Sequence, residues 1–500
     1  MSPTGRSMRL SGRSALASLA LLRAPRRGVY ASAGPLFRSA VFGRDSLEVA
    51  EDLAPHEPTL AREVALLLAS VQGETQNPVT EEEPGRIPHE YRRSQWDDRP
   101  VPAESLELLR ELSAKWGGTN DELLYYGSAD ATPLFVRLVG EICEGPDAPF
   151  LRQRIRRRSG EEVTVRDAVA AACDWICRRM EASPLGLLEF KSSNPDGLRI
   201  QTWKDSTTGI VHPDGTRLNT DQPVATLDLQ AQSFDALQAA TRLLPSHSAV
   251  SEWESHLEPL ARRLAELFWL EEERFFAQAI DRDRGGSPRV VKTRSSEAGV
   301  LMASKLLDAL DPEIRREMRI SVASALFGPE FLTNVGIRCR SLEHQAAVPF
   351  ADYHGSWASW PKDTYDAAKG LARQGFQALA CALEDRVLNA VARAGQHFEL
   401  FYVSPAGAVL YRPSVGAPNL PVAAVTNEPE PDQAWTVSAV LSIKRRRTAR
   451  FDATPSDFEA ALLRRAPVVH PPKWLGAEPL APPFTLRMHC DRHGRVPEPR

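Results

Sequence analysis

At 200–206 the sequence reads Ile-Gln-Thr-Trp-Lys-Asp-Ser, which sets a carboxyl two residues from an indole. A carboxyl partly desolvated by an aromatic ring has its pKa raised and keeps its proton near neutrality. A general acid that protonates a leaving oxygen needs that state. Lys204 opposes the shift if it points at Asp205, and can hold a substrate hydroxyl if it points elsewhere. Taken alone, an exposed Asp in a loop is far more often a turn-former. A second carboxyl, Glu399, stands in His-Phe-Glu-Leu-Phe-Tyr at 397–402. Among apolar neighbours it is suited to activating a water; at a strand edge it would only face solvent. Two carboxyls on separate loops, far apart in sequence, suit the cleavage of a glycosidic bond.

Other residues could shape such a site. Tyr353, His354, Trp357 and Trp360 crowd the segment 353–363. They offer stacking faces and hydrogen-bonding edges for a sugar ring, or else form a core aromatic cluster. Arg44 and Asp45 precede a helical pattern, so Asp45 or Ser46 is either an N-cap or, with Arg44, a grip on adjacent hydroxyls. Tyr125, Tyr126 and Asp130 pose the same choice. The basic runs Arg152–Arg158 and Lys444–Arg450 read as solvated helix faces rather than phosphate sites. Cys173 and Cys177, at i and i+4, read as buried thiols. His489, Cys490 and His493 lack a complementary ligand pair for zinc. No Walker loop, GxGxxG after a strand, or HExxH is present. No metal or cofactor is expected.

These residues need a scaffold. The 500 residues are 42% hydrophobic and carry a net charge of −4, which argues against a disordered chain and a mainly nucleic-acid-binding one. No apolar run is long enough to span a bilayer. Six scattered cysteines fit a reducing compartment, so a cytoplasmic location is expected. Residues 1–43 hold seven Arg and no acid, but 8–22 reads as an amphipathic helix of the folded body rather than a cleaved signal. Helical spacing recurs at 45–53, 58–71, 103–116, 131–144, 163–182, 224–244, 252–276, 296–310, 313–327, 363–394 and 433–442. Long excursions interrupt it at 76–103, 183–222, 331–362 and 404–432. Helices joined alternately by short turns and long aromatic-rich loops suggest hairpins arranged in a ring, with the loops gathered at one end. No fixed repeat of a solenoid is present. The division expected is a body at 1–442 and a basic, Pro-rich extension at 443–500, with a short strand at 484–488.

The ordered segments resemble a known family. AGPLFRSAVFGRDS within 28–46, GRIPHEYR at 85–92, YYGSADATPLF at 125–135 and QTWKDS at 201–206 come first. DLQ at 228–230, FWLEEERFFAQAID at 268–281, YHGSWASWP at 353–361, FELF at 398–401 and DQAW at 432–435 follow. Together, over roughly 10–442, they resemble the C-terminal catalytic domain of bacterial amylo-α-1,6-glucosidases of the glycogen-debranching type. The mannosylglycerate and glucosylglycerate hydrolases are related six-hairpin enzymes. The resemblance implies an all-α (α/α)6 toroid and an inverting mechanism, with Asp205 as general acid and Glu399 as general base. Inversion requires the two carboxyls about 6.5–9.5 Å apart. It further implies that Arg44, Asp45, Tyr126, Asp130, Trp203, Lys204, Gln230, Tyr353, His354 and Trp360 line the sugar pocket. The expected partner is a carbohydrate, with α-glucosidic bonds of glycogen or oligosaccharides cleaved.

The departures bear on substrate. The 353–361 loop differs from the family's His-x-Gly-Ser-Val-Trp-Pro, Asp228 replaces a Glu before Gln230, and the β-rich N-terminal domain common in debranching enzymes is absent. A small glycoside such as glucosylglycerate or mannosylglycerate is therefore the alternative. Its anionic aglycone would need a cation, for which Lys362, Arg92 and Arg93 are candidates. A carbohydrate-binding protein without catalysis is the alternative of another class; the presence of both carboxyls speaks against it.

Overall fold

The structure, a computed structural model, describes residues 14–24, 26–34, 37–96, 100–348, 350–407, 409–410, 429–448 and 454–467. In chain order the α-helices are α1 (Ala15–Leu22), α2 (Gly43–Leu53), α3 (Pro58–Ser70), α4 (Ala103–Trp116), α5 (Ala131–Ile142) and α6 (Val165–Ala182). They continue with α7 (Leu227–Leu243), α8 (Val250–Ser255), α9 (Leu257–Phe268), α10 (Glu297–Leu301) and α11 (Pro312–Leu326). The last are α12 (Pro361–Arg373), α13 (Gln377–Ala394), α14 (Ala434–Thr448) and α15 (Asp457–Arg465).

Six of these touch in cyclic order: α2 packs on α5, α5 on α7, α7 on α10, α10 on α12, α12 on α14, and α14 returns to α2. Outside them, α3, α6, α9, α11 and α13 each pack on the ring helix that precedes them in pairwise contact. The sixth outer position belongs to α1, which packs on α14. The first described helix thus completes the hairpin that the last ring helix begins. Ser18 ties the two ends together by donating to Asp432, 2.7 Å away. The helix expected over 8–22 is observed from Ala15, with Ser14 as its N-cap; 8–13 lie outside the described residues.

Apolar burial drives the assembly. Leu47, Leu134, Leu229, Leu301, Leu371 and Val437, one from each ring helix, are buried in one continuous core. A fully buried side chain of this size contributes roughly 1.5–3 kcal/mol. Polar seams fix the neighbours: Arg137 of α5 pairs with Glu51 of α2 at 2.6 Å, and Ser438 of α14 donates to Asp52 of α2 at 3.0 Å. Between α10 and α12 the backbones nearly touch. A Cβ on Gly370 would fall 2.4 Å from the Gly299 carbonyl oxygen, so no larger residue fits there.

Several expectations change. The run at 252–276 is not one helix; it divides into α8, α9 and a hairpin of Trp269–Leu270 with Phe275–Phe276. The run at 296–310 is α10 followed by a 3-10 turn, Lys305–Ala309. Strands of two to four residues, too short to show alternation, stitch the excursions together; one sheet joins Ala40–Phe42, Glu90–Arg93 and Glu122–Tyr125. Arg152–Arg158 is no helix face but part of a hairpin in which Arg154 pairs with Glu162 at 2.8 Å. The helix expected to end at 442 runs on to Thr448, so the proposed boundary falls within α14. Its basic turn grips outer-layer acids: Arg447 meets Glu384 at 3.0 Å and Asp385 at 2.8 Å. Phe458 of α15 packs on Phe376, and Glu459 accepts the Ala378 amide at the start of α13. The strand expected at 484–488 and the His489, Cys490, His493 cluster lie outside the described residues.

Cys173 and Cys177 are buried, and burial pushes the Cys177 thiol up to about 12, which suits inert core residues. Among the described residues no acid, His and Cys cluster could hold a metal, and no helix is long and apolar enough to cross a membrane.

The α10–α12 contact makes a stability prediction. Gly370→Val lowers unfolding stability by about 1–3 kcal/mol, since the facing atom is backbone and cannot rotate away. Lys115→Ala, which removes an exposed i,i+4 pair with Glu111, changes it by less than about 0.5 kcal/mol. Urea titration of both variants measures the contrast.

Candidate active site

All but one of the six ring helices carry an acid at or beside their first turn. Asp45 lies in the first turn of α2, Asp130 precedes α5, and Asp228, Glu297 and Asp363 open α7, α10 and α12. Neither Asp45 nor Ser46 is an N-cap, because α2 begins at Gly43. Asp130 is the N-cap residue but makes no side-chain capping bond. Its carboxylate instead accepts from Arg44 Nε at 2.6 Å.

Arg44 also reaches Asp205, with Nη1 3.1 Å from Oδ2. One guanidinium therefore bridges an inner-helix acid and the loop acid. Its Nη2 has no hydrogen-bond partner. The Asp205 side chain stays 29% exposed, whereas that of Arg44 is 3% exposed. Asp205 is thus the open end of a buried ion network. Burial raises its pKa above the ordinary carboxylate range, against the pull of Arg44. Burial also lifts Asp45 up to about 7; Arg44 opposes this and Asp205 adds to it.

Lys204 points away from Asp205. Its ammonium donates to Glu297 at 2.7 Å, to Ser296 at 2.8 Å and to the Cys339 carbonyl at 2.8 Å. All three donors are used, so Lys204 anchors the 200–206 loop to α10 and has none left for a sugar hydroxyl. Gln230 is spent in the same way. Its amide brackets Leu188, accepting from the N–H and donating to the carbonyl, and also donates to the Thr226 carbonyl. Tyr126 lies in a separate aromatic cluster with Tyr91 and Trp96, its hydroxyl bonded to the Val71 carbonyl at 2.8 Å.

The other expected residues converge. Trp203, Tyr353, His354 and Trp360 form a contiguous aromatic wall, with His354 stacked on Trp360 at 5.1 Å. The Trp360 indole donates to the Tyr353 carbonyl at 2.9 Å. His354 Nδ1 lies 2.9 Å from the Ser206 hydroxyl, which steadies the residue after Asp205. Burial and nearby cations hold the His354 pKa well below its usual value, so the ring is neutral. Trp203, His354 and Trp360 are buried and therefore form the wall's body; Tyr353 is partly exposed. Trp357 sits in the core.

Glu399 is buried just before the strand Phe401–Val403. Burial pushes its pKa up to about 8; Tyr353 and Gln433 favour the ionised form, and the charge of Glu430 adds to the rise. Tyr353 also feels Asp205. The strand after Glu399 pairs with Ala358–Ser359, next to Trp360, and His354 of the same aromatic wall lies 2.9 Å from Ser206, so both loops border that wall.

Three neighbours escaped the sequence reading as site residues: Glu297, Glu430 and Gln433. For Glu297 the available signal was an acid at the start of five of the six ring helices, a pattern that emerges only when the helix starts are known. Lys362 and Arg92, considered for an anionic group, are both committed. Lys362 meets Asp366 at 2.7 Å and Glu48 at 3.1 Å, and Arg92 pairs with Glu90. Arg93 lies out on the surface, 3.9 Å from Glu122. Beyond Trp203 a polar cavity of about 620 Å³ continues along the ring interior, lined by Asp228, Lys362, Asp366 and Arg137 among others.

A ring of helices whose starts and long loops carry the candidate chemistry is a recognisable architecture. No protein-family model matches the sequence, and no curated protein matches it significantly. Solved structures do match. The GH63 mannosylglycerate hydrolase from Thermus thermophilus, in complex with glucose, superposes with a TM-score of 0.53 at 15% identity, covering 87% of this chain and 99% of that one. The same hydrolase with Tris and D-glycerate gives 0.53 at 14% identity, with coverage of 87% and 99%. An uncharacterized conserved protein from the same organism gives 0.54 at 14%, with coverage of 87% and 100%. The chain shares the fold of these proteins along nearly their whole length.

The Lys204 anchor is testable. Lys204→Met strands the Glu297 carboxylate and lowers stability by about 3–5 kcal/mol. Adding Glu297→Gln restores part of that loss, and a double-mutant cycle by chemical denaturation measures the coupling.

Proposed function

We propose that the ring is an (α/α)6 toroid and that the protein is an inverting glycoside hydrolase, with Asp205 as general acid and Glu399 as general base. The observation that carries this reading is that both loops reach one aromatic wall: the strand after Glu399 pairs with Ala358–Ser359 beside Trp360, and Ser206, next to Asp205, lies 2.9 Å from His354. In the reaction Asp205 gives its proton to the glycosidic oxygen as the bond to the anomeric carbon breaks. Glu399 takes a proton from a water that attacks that carbon from the opposite face. Arg44 then lies against the newly formed Asp205 carboxylate and stabilises it. Tyr353 supports the ionised Glu399, and the aromatic wall excludes water from the acid's side. No step needs a metal or cofactor.

Two substrate readings divide the same chemistry. Debranching-type cleavage of α-glucosidic bonds in glycogen or oligosaccharides follows from the sequence motifs. Cleavage of a small glycoside of the glucosylglycerate or mannosylglycerate type is favoured by the whole-length likeness to a mannosylglycerate hydrolase. We adopt the small-glycoside reading. Lys362 and Arg92 are already paired with acids and the Arg44 Nη2 is buried, so the small-glycoside reading rests on the whole-length likeness.

The deciding assay offers mannosylglycerate, glucosylglycerate, maltooligosaccharides and glycogen, and follows the first-formed anomer by proton NMR. An α-glycoside must give the β-sugar first; the α-sugar first would exclude inversion. Binding without cleavage would instead favour a carbohydrate-binding protein. Asp205→Asn lowers kcat/KM about 10²–10⁴-fold on natural glycosides but spares a glycosyl fluoride, whose leaving group needs no proton. Glu399→Gln impairs both.

The pH profile has a definite form. The active pair carries one proton, so activity is lost when both groups are protonated at low pH and when both are ionised at high pH. kcat/KM against pH is therefore bell-shaped, with its upper limb near 8, the value for Glu399. A profile that stays flat through pH 9 would contradict the assignment.

A further inference from the structure

A further carboxyl stands beside Glu399. Glu430 is half-buried, and its backbone is hydrogen-bonded to both the backbone and the carboxyl of Glu399. The Glu399 N–H donates to the Glu430 carbonyl at 2.9 Å, and the Glu430 N–H donates back to Glu399 Oε2 at 3.4 Å. The flanking chain is knit into the same place: the Gln433 N–H donates to the His397 carbonyl at 2.9 Å, and the Ala434 N–H to the Ala31 carbonyl at 2.7 Å. Three remote segments, around 31–34, 397–399 and 430–434, therefore meet at Glu430.

The Glu430 side chain is held as firmly as its backbone. Ser32 donates its hydroxyl to Oε2 at 2.8 Å, and the same hydroxyl accepts the Gly34 N–H at 3.0 Å, which fixes its direction. Gly34 leaves room for the carboxylate: a Cβ there would fall 1.5 Å from Oε2. A flexible surface Glu has no need of a dedicated donor and a glycine cradle. This arrangement locks a negative charge next to another carboxyl, and like charges at close range are normally avoided unless one of them is to be altered.

We propose that Glu430 is a positioning residue for the catalytic pair: it fixes the Glu399 carboxyl through these hydrogen bonds and holds a second negative charge beside it. The inference rests on the reading of Glu399 as general base. Its chemical consequence is a stronger base. A carboxylate crowded by another negative charge takes the proton of a water more readily. The groups facing Glu399 are Tyr353 and Gln433, which favour its charge, and Glu430, which opposes it. Asp205 and its partner Arg44 lie beyond Tyr353. Within this set Glu430 is the group that raises the basicity of Glu399 by charge, in addition to burial.

Glu430→Gln keeps the shape and removes the charge. The upper limb of the pH profile should move to lower pH by about one pH unit, and Glu430→Asp should return it toward the wild-type position. Ser32→Ala, which weakens the hold on the ionised Glu430, should move it in the same direction by less. Carbon-13 NMR titration of the Glu399 carboxyl, assigned with Glu399→Gln, reads the same shift without any turnover. An unmoved Glu399 titration in both Glu430→Gln and Ser32→Ala overturns the proposal. So does a Glu430→Gln enzyme whose turnover is abolished and then restored by added azide, which would make Glu430 the base itself. If the wild type cleaves no glycoside, the enzymatic reading fails by that result, while the NMR titration still decides whether Glu430 tunes Glu399.

Discussion

Keeping carboxylates charged inside a closed ring of helices is the constraint from which the rest of this structure follows. Helix starts expose free N–H groups and the positive end of the peptide dipoles, which favours an acid by roughly 0.3–1 kcal/mol each. Desolvating an ion costs several kcal/mol. The dipoles alone cannot offset burial, so cations must enter the same layer. Arg44 serves Asp130 and Asp205, Lys204 serves Glu297, and Lys362 serves Glu48 and Asp366. Where such neutralisation is incomplete, burial prevails: Asp45, Asp363 and Glu399 are all pushed above the ordinary carboxylate range. Acid–base chemistry near neutrality draws on groups in that condition.

The layer also explains why two adjacent residues have opposite tasks. Lys204 and Asp205 share one loop, yet the lysine turns inward to three fixed acceptors while the aspartate turns toward solvent. The inward anchor lets the outward carboxyl keep its aim. On the other side Tyr353, supported by Trp360 and set edge-on to His354, performs the equivalent service for Glu399. Ring closure matters for the same reason. Glu399, the proposed base, is tied to the start of α14 through the Gln433 N–H, which donates to the His397 carbonyl, and α14 is secured by α1 and by α2 from the next ring position. Slack at that junction would separate the proposed base from the proposed acid.

Much of this was legible in the residues. The 3.6-residue spacing marked α4 at Ala103–Trp116, the run of α6 and the span that holds α12 and α13. Trp203–Asp205 and Glu399 stood out because a carboxyl beside aromatic residues requires an explanation. What could not be read was direction. Nothing in the chain order says that Lys204 faces Glu297, ninety-three residues away, or that Gln230 turns back to Leu188. A polar residue in a motif shows that it is needed, not whether substrate or scaffold needs it. Tyr126 illustrates the same limit: it adjoins site residues in sequence, and its ring points into another cluster. The strands were missed because two to four residues carry no measurable alternation. Glu430 was missed because its role depends on contacts with two segments remote in sequence.

The central claim is geometric: one sugar can sit with its glycosidic oxygen at Asp205 and a water held at Glu399 on the opposite face. The most direct measurement is a crystal structure of Asp205→Asn soaked with an intact glycoside. The account predicts a bound sugar whose glycosidic oxygen lies within hydrogen-bond reach of residue 205, and an ordered water between Glu399 and the anomeric carbon, about 3–3.5 Å from that carbon. A sugar bound with its anomeric carbon turned away from Glu399, or with both carboxyls on the same face, would contradict it.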